Sequence, residues 1–84
     1  MASEVTVYSS DLCGFCYRAK RLLDSKQVMY AEIKVDGDSE KRREMMTLTG
    51  NHKVPQIIIN GQPVGGCDEL YALERANKLD ALLG

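Results

Sequence analysis

The sequence predicts an α/β fold, a mixed four-stranded sheet with helices on both faces and the element order β-α-β-α-β-β-α. Three observations carry that expectation. Residues 4–9 and 29–35 alternate at the period of a strand, and the stretch between them places apolar residues at helical spacing. Further on, Asn60-Gly61 stands after the apolar run Ile57-Ile58-Ile59, as the turn of a hairpin would. Strands joined through a helix run parallel with a right-handed crossover, whereas a hairpin is antiparallel, so the sheet has to be mixed.

The elements follow in order. Glu4-Val5-Thr6-Val7-Tyr8-Ser9 is rich in β-branched residues and ends at the polar cluster Ser9-Ser10-Asp11. From Gly14 to about Lys26, Phe15, Ala19, Leu22 and Leu23 fall on one helical face, while Arg18, Lys20, Arg21 and Lys26 against Asp24 give a basic, solvated opposite face. Met29 to Val35 is the second strand, closed by the turn residues Asp36-Gly37-Asp38. Asp38 or Ser39 then caps a helix through Met45, Met46 and Leu48, whose methionines are expected to fill core, and Gly50-Asn51 stops it. After Pro55, Gln56 to Asn60 reads as a buried strand, and Asn60-Gly61-Gln62-Pro63 reverses the chain into Val64. Residues 68–77 make the last main helix, with acids in its first turn and Asn77 as a left-handed stop. Asp80 is expected to cap one more turn through Leu83.

Residues 1–84 read as a single domain, since no repeat, low-complexity tract or linker divides them. The chain is 44% apolar and 27% charged with a formal charge of −1, which excludes a disordered tail and a nucleic-acid binder held by phosphate contacts. No apolar run exceeds four residues, against the roughly 20 that span a bilayer, so no membrane association is expected. Glu4 and Asp11 interrupt the first dozen residues and no secretory signal is expected there, which points to the cytosol. Three cysteines, an odd number, suit chemistry or metal binding better than a disulfide framework.

Cys13-Gly14-Phe15-Cys16 lies between a strand end and a helix start. The spacing alone fits both redox chemistry and zinc. A four-ligand zinc site could only draw on Cys13, Cys16, Cys67 and His52, the sole histidine, and Cys67 and His52 do not form a compact second pair. The strand-to-helix context favours redox, and no metal site is assigned. Thiolates, not thiols, attack disulfides, and an unperturbed cysteine with pKa about 8.5 is only about 3% ionised at pH 7. Unpaired N–H groups at a helix start favour the thiolate of Cys13. Cys16, one turn further in, is expected to be more buried and to serve as the partner that closes the disulfide.

Tyr8-Ser9, Cys13-Gly14-Phe15-Cys16, Val54-Pro55 and Gly65-Gly66-Cys67-Asp68 fall in the order and approximate spacing of the glutaredoxin pattern, across nearly the whole chain. The sequence most closely resembles the small bacterial-type dithiol glutaredoxins. That resemblance implies a thioredoxin-like fold with strand order 2-1-3-4 and a glutathione-dependent thiol–disulfide oxidoreductase, acting as a monomer on protein disulfides and glutathionylated proteins. It further implies Cys13 as nucleophile and Cys16 as resolving thiol. Phe15 would flank the bound tripeptide, although a plain core position is equally open to it. Val54 would bond to the glutathione cysteine through its backbone, Pro55 would be cis, and Lys53 would meet a glutathione carboxylate, although the place of a solvated loop lysine is equally open to it. Gly66, Cys67 and Asp68 would hold the γ-glutamyl end, with Asp68 also available as a helix cap and Cys67 packed in the wall of the site.

Two positions depart from the family pattern. Ser10 stands where a lysine is common, removing a cation that would help both the thiolate and glutathione; Lys53, Arg42 or the basic residues of the first helix are the candidates to replace it. Gly14 stands where a proline is common. Relatives without that proline include proteins that share a [2Fe–2S] cluster between two subunits through the first cysteine and glutathione. A glutathione-bridged [2Fe–2S] dimer, as carrier or sensor, is therefore the alternative.

Overall fold

The computed structural model describes residues 3–84. Its elements run β1 (Val5–Ser9), α1 (Gly14–Ser25), β2 (Ala31–Lys34), α2 (Ser39–Thr49), β3 (Gln56–Ile59), β4 (Gln62–Gly65), α3 (Cys67–Arg75) and α4 (Leu79–Leu83). The strands form one sheet in the order β2-β1-β3-β4, with β1–β2 parallel and both β1–β3 and β3–β4 antiparallel. The mixed sheet and the strand order are therefore as expected.

Alternation along the central strands divides the core in two. Val5, Val7, Ile57 and Ile59 face α1, α3 and α4 and pack with Ala19, Leu23, Leu70 and Leu79. Tyr8 and Ile58 face the other way, onto Val35 and Met45 of the α2 side. Tyr8 donates its phenolic O–H to Glu44 Oε2 at 2.7 Å. Burial, reinforced by that carboxylate, pushes the phenol up to about 12.

Several boundaries and faces differ from the sequence reading. The second strand is only Ala31–Lys34, because it is an edge strand with one partner; Met29, expected to begin it, is 90% exposed. Phe15 is 57% exposed, and Cys16 takes its place on the buried stripe with Ala19, Leu22 and Leu23. The helix meets the sheet along positions 16, 19 and 23, which turns residue 15 outward. Of the methionines on α2 only Met45 is core; Met46 and Leu48 are about half exposed, since a single helix lies on that face and one stripe of it reaches the sheet.

Capping also separates expectation from outcome. Asp38 caps α2 by accepting from the Lys41 N–H at 3.0 Å, and Gly50 ends it in the left-handed region. The hairpin turn is Asn60-Gly61 alone, with φ of 52° and 79°; Pro63 lies within β4 opposite Ile58, on an edge strand where its missing N–H is tolerated. Asn77 is left-handed as expected. Lys78, not Asp80, precedes α4, and the Asp80 carboxylate instead pairs with Lys26 at 2.8 Å, a cation it shares with Glu74.

Met45→Ala should therefore lower the unfolding free energy by about 2–5 kcal/mol in urea denaturation, while Met46→Ala should change it by less than about 1 kcal/mol. Equal effects would show that α2 is rotated from the orientation described.

Candidate active site

The chain leaves β1 at Ser9, turns through Ser10, Asp11 and Leu12, and enters α1 at Gly14. Two contacts hold this turn. The Asp11 N–H donates to Asp36 Oδ2 at 2.6 Å, and the Asp11 carboxylate is ion-paired with Lys34 of β2. That cation, beside Asp11, holds its carboxyl below the usual range. One step deeper, the buried hydroxyl of Ser9 donates to Glu32 at 2.6 Å, and Lys20 of α1 meets the same oxygen at 2.8 Å. The loop is thereby fastened to β2 on one side and α1 on the other.

Cys13 is the N-cap of α1, and its Sγ accepts from the Cys16 N–H at 3.1 Å. Cys13 is half-buried and Cys16 is 1% exposed. The two are joined as a disulfide with a Cα separation of 5.2 Å, so the structure represents the oxidised site. In the reduced protein the same N–H, together with the other unpaired donors of the first turn, faces whichever charge develops on Cys13.

Phe15, exposed in the first turn of α1, forms one wall of a groove of about 300 Å³. The other walls come from the loop before β3, namely Asn51, Lys53, Val54, Pro55 and Gln56, and from the start of α3, namely Gly66, Cys67, Asp68 and Glu69. All seven residues that sequence reasoning assigned to a ligand thus line one cavity, and its exposure removes Phe15 from the core alternative. Val54–Pro55 is cis. Val54 lies outside the β3 ladder, and among the described residues no turn or side-chain hydrogen bond engages its N–H or C=O.

The third wall depends on two glycines. Gly65 has φ of 118°, and a Cβ there would lie 2.8 Å from Glu69 Cγ. A Cβ on Gly66 would lie 3.2 Å from the Pro55 carbonyl oxygen, so the absence of a side chain lets α3 start against the cis-proline loop. Gly66, not Asp68, is the N-cap of α3. Its N–H donates to Glu69 Oε1 at 2.6 Å, half of a capping box, since glycine has no side chain to return the bond. Asp68 is exposed and in no ion pair among the described residues, and Gly66 to Glu69, at the start of the nine-residue α3, line the groove.

Cys67 is 5% exposed, and burial pushes its thiol up; Asp68 and Glu69 push the same way, against the guanidinium of Arg18. It lies in the wall of the groove. Cys13, Cys16, Cys67 and His52 do not converge: among the described residues no three His, Cys, Asp or Glu side chains gather for a metal. Of the cations weighed as substitutes for the lysine missing at Ser10, Lys53 lines the groove and Arg42 is spent on the His52 carbonyl at 3.1 Å. Asn51, Gln56 and Glu69 were missed. Glu69 had a legible signal in its position three residues after a helix cap; Gln56, buried and donating to the Lys53 carbonyl at 2.8 Å, reads in sequence as the polar end of an apolar strand.

The chain's similarities to known proteins agree with this geometry. The glutaredoxin family model matches residues 5–64. Glutaredoxin 3 of Escherichia coli is 47% identical over 81 residues, covering 96% of this chain and 98% of that protein. A glutaredoxin of Pseudomonas aeruginosa is 52% identical over 79 residues, 94% of each chain. Among solved structures, Brucella melitensis glutaredoxin superimposes with a TM-score of 0.85 at 44% identity, covering 98% of this chain and 89% of that one. A buckwheat glutaredoxin–glutathione complex gives a TM-score of 0.87 at 32% identity, covering 96% and 76%.

In the reduced protein at pH 7, Cys67 should react with iodoacetamide at least about ten-fold more slowly than Cys13 by mass-spectrometric timing. Comparable rates would place Cys67 at the surface.

Proposed function

Because this chain belongs to the glutaredoxin family and is a glutathione-dependent thiol–disulfide oxidoreductase, we propose that Cys13 is its nucleophile, Cys16 its resolving thiol, and the groove beside Phe15 its glutathione site. The observation that carries the assignment is the convergence of Phe15, Lys53, Val54, Pro55, Gly66, Cys67 and Asp68 on one cavity next to the helix start that holds Cys13.

On a glutathionylated protein, the Cys13 thiolate attacks the glutathione sulfur. The protein–glutathione S–S bond breaks, the protein thiolate leaves and takes a proton from solvent, and a Cys13–glutathione disulfide forms. The thiolate of a second glutathione attacks the bound glutathione sulfur, releasing glutathione disulfide and restoring the Cys13 thiolate. On a protein disulfide, Cys13 forms the mixed disulfide with the protein and Cys16 attacks the Cys13 sulfur. Both protein thiols are released, leaving the Cys13–Cys16 bond seen here, which two glutathiones then reduce.

The glutathione cysteine lies along Val54, exchanging backbone hydrogen bonds as an added strand does. Lys53 meets a carboxylate, and the start of α3 receives the γ-glutamyl carboxylate while Asp68 takes its ammonium group. Phe15 covers the tripeptide from the loop side. One copy contains every wall of this site, so the protein acts as a monomer, with residues 1–84 as a single glutaredoxin-like domain. The cytosol, where glutathione keeps thiols reduced, is the compartment this chemistry requires.

Cys13→Ser should reduce the rate on a glutathione mixed disulfide to that of the uncatalysed exchange, while Cys16→Ser keeps a substantial part of it. Equal loss in both variants would remove the single-thiol step. The dimeric [2Fe–2S] alternative retains one supporting observation: Gly14 is exposed with open space around it, so nothing crowds the approach of a second subunit. Protein isolated without oxygen should be colourless and iron-free if Gly14 serves only the loop; visible absorption with two irons per dimer would favour the cluster.

A further inference from the structure

We propose that the outer face of α1, running from the disulfide through Arg18 and Arg21, is a docking strip for acidic polypeptide segments flanking the substrate cysteine. This rests on the function proposed above and adds the chemistry of the protein partner. Three cations lie on α1 and a fourth, Lys26, caps its end, and the structure divides them. Lys20 is paired with Glu32, and Lys26 with Glu74 and Asp80. Arg18 and Arg21 have no carboxylate partner among the described residues and are exposed.

Neither arginine is left to wander. The Arg18 guanidinium carbon lies 5.4 Å from the centre of the Tyr71 ring, and that of Arg21 lies 5.8 Å from the Tyr17 ring. Tyr71 is itself fixed to α1 by its O–H, which donates to the Arg18 carbonyl at 3.2 Å. Both rings and both arginines line one shallow depression of about 340 Å³ against Leu22 and Ser25. A guanidinium resting on an aromatic face keeps its N–H donors outward and loses less freedom on meeting a carboxylate than a free lysine would.

The strip also begins where a partner must be. Leu12, the residue before the nucleophile, is fully exposed in the left-handed region at φ of 55°, and Tyr17, one turn beyond Cys13, is 59% exposed. An uncovered leucine on a backbone it disfavours, beside a reactive sulfur, is apolar surface for the substrate chain to cover. At 1.5 Å per residue, Arg18 and Arg21 stand about 7 and 12 Å along the helix from Cys13. An extended partner advancing about 3.3 Å per residue meets them about two and four positions from its own cysteine. The neighbouring carboxylates are engaged elsewhere: Asp11 is paired with Lys34, Glu32 with Lys20, Asp24 of α1 lies against the Tyr30 hydroxyl, and Asp68 and Glu69 line the glutathione groove.

The test uses two cysteine peptides carried as glutathione mixed disulfides, alike except for glutamates or lysines two and four positions to either side of the cysteine. The mixed disulfide of free cysteine and glutathione serves as a substrate with no flank. Wild type should prefer the glutamate peptide by about 3- to 30-fold in kcat/KM at low salt, the range expected of two exposed charge contacts. The preference should contract at 0.5 M salt and fall below about two-fold in Arg18→Gln/Arg21→Gln, with the rate on the flankless substrate unchanged. No preference in wild type, or one that persists at high salt or in the double variant, overturns the docking strip. The salt dependence of wild type decides the matter even if the double variant fails to fold. Failure on the flankless substrate would instead overturn the proposed exchange itself.

Discussion

The hydrogen bond from the Cys16 N–H to Cys13 Sγ is the contact on which the rest of the site depends. It exists because a strand ends and a helix begins within a four-residue turn, so the sulfur occupies the place of an N-capping oxygen. The same geometry gives the two sulfurs opposite fates. Cys13, outside the helix, remains partly open, while Cys16 falls on the stripe that packs against the sheet. One partly open thiol and one protected thiol thus follow from one helix phase.

The position of that turn is set from behind. Lys20–Glu32–Ser9 and Lys34–Asp11 tie α1, β2 and the end of β1 together, and Asp36 receives the Asp11 N–H. Such pairs contribute little individually when exposed. Their value here is geometric, because they fasten a loop whose own backbone includes a leucine in the left-handed region. Across the groove, Gly65 and Gly66 let α3 begin against the Pro55 carbonyl, and Glu69 closes that helix start from within. The groove is consequently where the first turn of α1, the loop before β3 and the start of α3 meet.

Much of this was legible in the chain. The period-two runs gave the strands, Asp38 and Gly50 marked both ends of α2, and Asn60-Gly61 fixed the hairpin, because each signal acts through neighbours in sequence. Cys13 and Cys16 were legible for the same reason. Met46, expected to fill core, and Phe15, to which a core position was equally open, are both exposed: apolar character shows that a residue can be buried, whereas burial depends on which stripe of a helix reaches the sheet. Asp68 and Asp80 looked like caps by type, yet Gly66 and Lys78 hold those places, and Asp80 finds a cation on a different helix.

The sequence by itself determined the kinds of element, their order, the mixed sheet and the placement of a dithiol at a helix start, since periodicity and capping are local properties of the chain. Only the tertiary structure decided that Phe15, Lys53, Val54 and Cys67 share a cavity, that Cys67 is sealed into its wall, and that Arg18 and Arg21 rest on tyrosines without carboxylate partners. Those outcomes depend on contacts between segments far apart in the chain. Closing the sheet and docking α3 against α1 set such distances, and no local preference encodes them.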